Sequence, residues 1–244
     1  MVTDALVSYF RQGDDVLRSR SVSQRLHTAT LDVPAPPARL VADWAQDIRQ
    51  QLDLAPGDVE PLNLARARAR WPALRRCVQA ATDWAHTLGL PNRLNNGLLA
   101  DSDIALMTCR GARYHHDGDQ YGGAAFLNLF LSDDKDLDLH FPQLGHRIPL
   151  VRGTVVLFDT GQPHAVIARH RSSFDAADFP PESDCILVFL TWELPIDSPE
   201  VAQALGITFD VDPETTAALG EEQLQLNGAA VQVCPATGRW LDGV

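Results

Sequence analysis

From Ile104 to Leu194 one theme repeats: a short run of Val, Leu, Ile and Phe, then a break of Gly, Pro or Asp. AAFLNLFLSDD, LDLHFP, PLVRGTVVLFDTG and CILVFLTWEL are all of this kind, with side chains that suit a pleated surface. Several short strands separated by turn residues build an all-β sandwich or barrel. Ile104 to Asp117 reads as a strand with a turn at Gly111. RSSFDAADFPPESD (171–184) interrupts the series as a polar, Pro-containing loop of the kind that serves as a lid.

The flanks read differently. Residues 1–37 are mixed, with a strand over Gln24–Val33 and a stiff PAPP connector after it. Val41, Trp44, Ile48 and Leu52 recur at helical spacing, so Ala38–Leu52 is an amphipathic helix. A second helix starts near Pro72, carries Leu74, Val78, Ala81, Trp84 and Leu88 on one face, and ends at Gly89 and Pro91. The basic ARARAR run before it is a solvated helix face, with a hold on an anionic substrate as the alternative. After Pro195, SPEVAQALG and DPETTAALG are short capped helices, and Asn227–Val244 forms a small hairpin. The expected organisation is one domain over 1–244. Residues 1–103 support a β core at 104–194 that carries the metal site, and 195–244 form a C-terminal extension.

A net charge of −12 argues against a nucleic-acid surface, which needs clustered Lys and Arg. The four cysteines are scattered without a CxxC pair, as in a reduced intracellular chain. No leader is read at the amino terminus, and no apolar run is long enough for a membrane span. The expectation is a soluble, cytoplasmic protein whose partner is neither nucleic acid nor membrane.

The chemistry concentrates in RYHHD (113–117) and in His164 of GQPHAV. On an extended strand side chains alternate faces, so His115 and Asp117 point one way and His116 the other. Two imidazoles and one carboxylate form the facial triad that holds Fe(II) and leaves three coordination positions open. An HxD alone is equally an ordinary polar strand end. The distal His164, after an apolar strand and a Gly-x-Pro turn, is what a polar strand end does not explain. His116 would leave Asp117 on the opposite face. His140, and likewise His27, His86, His146 and His170, are read as structural or exposed.

An HxD strand, an "LN" strand (FLNLF), an "FP" strand (LDLHFP), a Gly-led apolar strand (GTVVLF) and a distal His follow one another here. In this order Ile104–Leu194 resembles the 2-oxoglutarate- and Fe(II)-dependent dioxygenases, in their prolyl-hydroxylase-like branch. The resemblance implies a mostly β fold, with a double-stranded β-helix (jelly-roll) core buttressed by N-terminal α-helices. It implies Fe(II) on His115, Asp117 and His164, 2-oxoglutarate as cosubstrate, and O2. The products would be succinate, CO2 and a hydroxylated small molecule or amino-acid-like substrate. Asp117, where related halogenases carry Gly or Ala, favours hydroxylation or desaturation over halogenation. Such enzymes anchor the C5 carboxylate of 2-oxoglutarate with Arg or Lys about ten residues after the distal His. This chain departs from that pattern. The expected anchors are Arg169 or Arg171, with the following loop as an insertion, and Arg110, Arg113 or Arg152 as alternatives. Asn128 shares a face with Phe126 and Phe130 and either bonds the cosubstrate or satisfies a backbone group; Tyr114 and Trp192 are packing residues. Two other classes compete. One is a metal-dependent cupin-type enzyme (a cofactor-free dioxygenase or isomerase), although its HxH and glutamate are absent here. The other is a binding or sensor module without turnover.

Overall fold

The computed structural model of the chain describes residues 6–12, 15–50, 52, 54–90, 104–181, 183–210 and 221–242. In chain order come β1 (Leu6–Gln12), β2 (Asp15–Ser21), β3 (His27–Thr30), α1 (Ala38–Gln50), β4 (Val59–Leu62), α2 (Leu64–Arg70) and α3 (Leu74–Thr87). Next are β5 (Ile104–Cys109), β6 (Ala112–His115), α4 (Gly118–Tyr121), β7 (Ala124–Phe130), β8 (Leu137–Phe141), β9 (His146–Pro149), β10 (Thr154–Asp159), β11 (His164–Ala168) and β12 (Leu187–Pro195). α5 (Pro199–Leu205), β13 (Glu221–Leu226), β14 (Ala229–Val233) and β15 (Trp240–Asp242) complete the chain.

Strands β5 to β12 are dealt out between two antiparallel sheets. β10, β7, β12 and β5 lie side by side in one, extended by β3 and β4 at its two ends, and β6, β11, β8 and β9 form the other. Phe130, Phe141, Phe158, Leu139, Val166 and Phe189 pack between them. Eight consecutive strands distributed in this way over two facing sheets are a jelly roll. The expectation of a mostly β jelly-roll core with flanking helices holds.

AAFLNLF reads as a continuous apolar run because β7 is buried on both faces. Phe126 and Phe130 turn inward, while Ala125, Leu127 and Leu129 join the cluster under the helices. That outer layer is Leu40, Trp44 and Ile48 of α1 and Leu74, Cys77, Ala81 and Ala85 of α3, set against Leu106, Leu190 and Trp192. The ARARAR run is itself helical. Asn63 Oδ1 caps α2 by accepting from Arg66 N at 2.9 Å, and Arg66 and Arg70 pair with Asp47 and Asp43 of α1. A solvated, charge-balanced face is therefore what the basic run provides.

A further five-stranded sheet, in the order β15-β14-β13-β1-β2, joins the two ends of the chain. Sequence reading saw only its β14–β15 hairpin, since β1 recognises β13 across nearly the whole length of the chain. Asn227 and Gly228, at φ 53° and 84°, make the tight turn from β13 into β14. The tail also covers the free edge of β6, where Tyr114 N donates to Pro235 O at 3.0 Å. Ser198 precedes α5, but its hydroxyl bonds Glu200 and makes no capping bond to the helix. The second expected helix, DPETTAALG, lies outside the described residues. The loop read as a lid is anchored at Phe179, which is fully buried, and a Cβ on Gly111 (φ 67°) would sit 2.5 Å from its ring. All four cysteines are free. No helix among the described residues is long and apolar enough to cross a membrane.

Candidate metal centre

His115 closes β6 and His164 opens β11, and the two strands pair so that these residues face one another in register. Asp117 follows as the N-cap of α4, at φ −99° and ψ 8°, with its backbone N–H donated to Thr160 O at 2.8 Å. The alternation of an extended strand predicts the correct face for Asp117, but a turn delivers it, since β6 ends two residues earlier. Ligand atoms of His115, Asp117 and His164 all lie within 4.8 Å of one another. His115 Nε2 is 3.5 Å from Asp117 Oδ1, and His164 Nε2 is 3.5 Å from Asp117 Oδ2.

The second nitrogen of each ring decides what these contacts are. His115 Nδ1 lies 2.7 Å from Arg113 O, and His164 Nδ1 lies 2.9 Å from Gln162 O. A carbonyl only accepts, so each Nδ1 carries a proton and donates, and in the neutral ring Nε2 is the atom with the bare lone pair. Burial pushes the His164 pKa down to about 4, with His115 adding to the effect and Asp117 opposing it, so this imidazole is neutral at physiological pH. Two imidazole lone pairs and a carboxylate thus converge with no donor among them. A cation is what this arrangement lacks. Donor atoms about 2.1 Å from an ion and at right angles lie about 3.0 Å apart, about half an ångström less than the 3.5 Å from Asp117 to each ring. The residues fit a divalent metal, and the carbonyls of Arg113 and Gln162 that accept from the Nδ1 atoms are the outer partners that fix ligating histidines.

Rigid support comes from elements that the sequence does not connect. Phe158 meets the His164 ring edge-on at 4.8 Å between centroids, and Phe141 lies at 5.8 Å. The turn between β10 and β11 hangs from Asp159, which forms a fully buried ion pair with Arg20 of β2 at 2.8 Å. Asp159 also accepts from Ser23 N at 2.8 Å and Gly161 N at 2.9 Å, while Arg20 donates to Gly122 O at 2.7 Å. Gln162, whose carbonyl orients His164, donates its side-chain amide to Ser23 O at 2.7 Å. Thr160 Oγ1 lies 2.8 Å from both Tyr121 O and Ala124 O, tying the same turn to α4. Leu224 of β13 presses on Gly118, where an added Cβ would be 3.3 Å away, so the C-terminal sheet braces the helix that Asp117 begins.

The triad opens into a cavity of about 530 Å³ between the two sheets. On its larger wall the register sets residues in layers: Phe126 opposite Glu193, Asn128 opposite Thr191, and Phe130 opposite Phe189, with Met107 beside Phe189. Phe158 bridges Phe126 and His164, so the first layer is the one at the metal end. The third is a floor, with the Phe130 and Phe189 rings 5.2 Å apart, and Leu139 and Val166 join it from the smaller sheet. Asn128 is 8 % exposed, and its carboxamide oxygen has no hydrogen-bond partner.

His115, Asp117, His164 and Asn128 are therefore brought together, and the expected anchors are not. Arg169 is held by Asp134 and Asp138 at 2.8 and 2.9 Å, and Arg171 by Asp178 at 2.8 Å, all away from the lining. The acidic turn LSDD-KDLD, close in sequence to the "LN" strand, is what captures Arg169. Arg113 pairs with Asp58 at 2.9 Å, Arg152 pairs with Asp133, and Arg110 is buried off the cavity wall. No Arg or Lys lines the cavity among the described residues; its charged side chains are Asp117 and Glu193. His116 stays off the lining, and His140 Nδ1 lies 2.5 Å from the Tyr114 hydroxyl, so both are structural. Sequence reading missed Arg20, Asp159 and the Phe189 floor. FLTWEL does carry the alternation of Phe189, Thr191 and Glu193 that places them on one face.

No family model matches the chain, and no curated protein matches it. Among solved structures, a prolyl-4-hydroxylase from Pseudomonas putida is 17 % identical, covering 70 % of this chain and 92 % of that one at a TM-score of 0.37. A prolyl hydroxylase from Trichoplax adhaerens, in complex with a hypoxia inducible factor peptide, is 12 % identical, with 73 % and 86 % covered and a TM-score of 0.41. Hazelnut (Corylus avellana) vicilin is 18 % identical over 43 % of this chain and 25 % of its own, at 0.24. At these scores the likenesses carry no inference about this chain.

Proposed function

We propose that this chain is a mononuclear Fe(II)-dependent oxygenase that hydroxylates a small or amino-acid-like molecule at the expense of a 2-oxo acid and O2. The observation that carries the reading is the convergence of His115 Nε2, Asp117 and His164 Nε2 at the wall of a cavity, with both Nδ1 atoms tied to carbonyls. A ferrous ion bound there would supply the activation of O2 that side chains do not provide. The chain's own residues hold and shape the site. The two imidazoles would hold the ion as neutral donors, and Asp117 would contribute one negative charge. Phe126, Phe130 and Phe189 would give the bound molecule an apolar wall. Because Asp117 occupies the third protein position, hydroxylation or desaturation is favoured over halide transfer. The cavity volume falls in the range of about 300–1,000 Å³ that suits a small organic ligand.

2-Oxoglutarate fits this site at one end only. Its keto-acid head matches the open face of the triad, but its distal carboxylate meets no Arg or Lys among the described lining residues. The reading therefore rests on the 2-oxo acid head.

The test is an anaerobic titration of the apoprotein with Fe(II), followed by 2-oxo acids. A weak visible charge-transfer band on adding the acid, then O2 uptake matched by decarboxylated product on admitting air, is the expected result. His164→Ala should remove both. Bound metal without a band for any 2-oxo acid would favour the cupin-type alternative, and no metal binding would favour a module without turnover.

A further inference from the structure

The depth of the cavity specifies the far end of whatever enters it. Beyond the metal the lining passes through one neutral polar layer, Asn128 opposite Thr191, and then becomes Met107, Phe130, Leu139, Val166 and Phe189. Phe130 is 2 % and Phe189 8 % exposed, so these two rings belong to the packed interior, and Met107 beside them is half-buried. A carboxylate brought here would lose its hydration and find no countercharge among the described residues. An apolar group loses nothing by the same transfer and gains contact with the rings.

Resting on the 2-oxo-acid reading above, we infer that the cosubstrate of this site is a 2-oxo monocarboxylate with an apolar side chain, of the phenylpyruvate or 4-methyl-2-oxopentanoate kind, and not the dicarboxylate 2-oxoglutarate. The keto and carboxylate oxygens face the triad, Asn128 and Thr191 offer neutral hydrogen bonds to the head, and the side chain lies on the Phe130–Phe189 floor. The stoichiometry is unchanged in form. The C1–C2 bond of R–CO–COO⁻ breaks to release CO2, and one oxygen atom of O2 enters the new carboxylate R–COO⁻. The other enters the C–H bond of the substrate to give C–OH. Two electrons from the decarboxylated acid and two from the C–H bond reduce O2 fully.

The test is binding to the Fe(II)-loaded protein without O2, read by the charge-transfer band and by calorimetry, with phenylpyruvate, 4-methyl-2-oxopentanoate, pyruvate and 2-oxoglutarate as probes. The expected order places the two apolar acids at least about tenfold tighter than 2-oxoglutarate, with pyruvate weaker than both because it leaves the floor uncovered. Met107→Lys, and separately Phe189→Lys, place a cation beside the floor and should reverse the preference toward 2-oxoglutarate; using two sites guards against one variant failing to fold. Equal or tighter binding of 2-oxoglutarate by the unaltered protein overturns this inference and leaves the 2-oxo-acid reading standing. Iron binding with no response to any of the four acids overturns both.

Discussion

Arg20 and Asp159 offer the most quantitative test of how the site is held. Both side chains are 0 % exposed, and they meet 139 residues apart in sequence. Asp159 accepts from Arg20 Nη1 at 2.8 Å, Arg20 Nη2 at 3.2 Å, Ser23 N at 2.8 Å and Gly161 N at 2.9 Å, so its carboxylate is fully satisfied. Arg20→Met fills most of the space but leaves a buried carboxylate with two backbone N–H groups and no countercharge. Breaking one side of such a pair costs about 3–5 kcal/mol. For a chain of this length each kcal/mol lowers Tm by about 2–4 °C, so a fall of about 6–20 °C is expected. In Arg20→Met/Asp159→Asn the stranded charge is gone and an amide oxygen still accepts from Ser23. The double variant should therefore be more stable than Arg20→Met alone. Urea unfolding of metal-free Arg20→Met, Asp159→Asn and the double variant at constant m-value measures all three losses. Because the same turn presents Gln162 O to His164, Arg20→Met should also weaken metal binding by about 10–100-fold, as loss of outer partners does. The reasoning fails if Arg20→Met costs less than about 1 kcal/mol, or if the double variant simply adds the two single losses.

Other outcomes follow from the same geometry. Asp117→Asn should abolish metal binding yet raise the stability of the metal-free protein by about 0.5–1 kcal/mol, because its NH2 group can donate to one of the two lone pairs now facing a carboxylate and the negative charge is gone; calorimetry and thermal melts on one sample would show both. Gly111→Ala should cost about 1–3 kcal/mol, since φ is 67° and the new methyl would sit 2.5 Å from Phe179; limited proteolysis would detect the released 171–184 loop. Arg169→Ala should leave the affinity for every 2-oxo acid within about twofold, while costing about 1 kcal/mol through Asp138, which keeps Arg147 at 3.3 Å. A tenfold loss of 2-oxo-acid affinity in that variant would restore Arg169 as an anchor.

These outcomes divide along the line between what the residues announce and what they leave silent. The jelly roll is legible because its determinants are local. Apolar runs of strand length, Gly and Pro turns, and the inward set Phe126, Asn128 and Phe130 need no knowledge of distant partners. The triad is legible for a related reason: β6 and β11 bring His115 and His164 into register, and the HxD spacing survives even though a turn, not a strand, carries Asp117. Arg169 misleads because proximity in sequence to His164 says nothing about the three carboxylates waiting at Asp134, Asp136 and Asp138. A planar guanidinium surrounded by fixed acids is already satisfied where it stands, and moving it into the cavity would strand them. Arg20 is the converse case. Nothing around it in VLRSRSV marks it as buried, and only the pairing of β1 with β13 and the packing of Ser23 against the β10–β11 turn bring it under the site. Its burial makes sense only with Asp159 in place, so the charge that looks most ordinary along the chain is the one that fixes where His164 points.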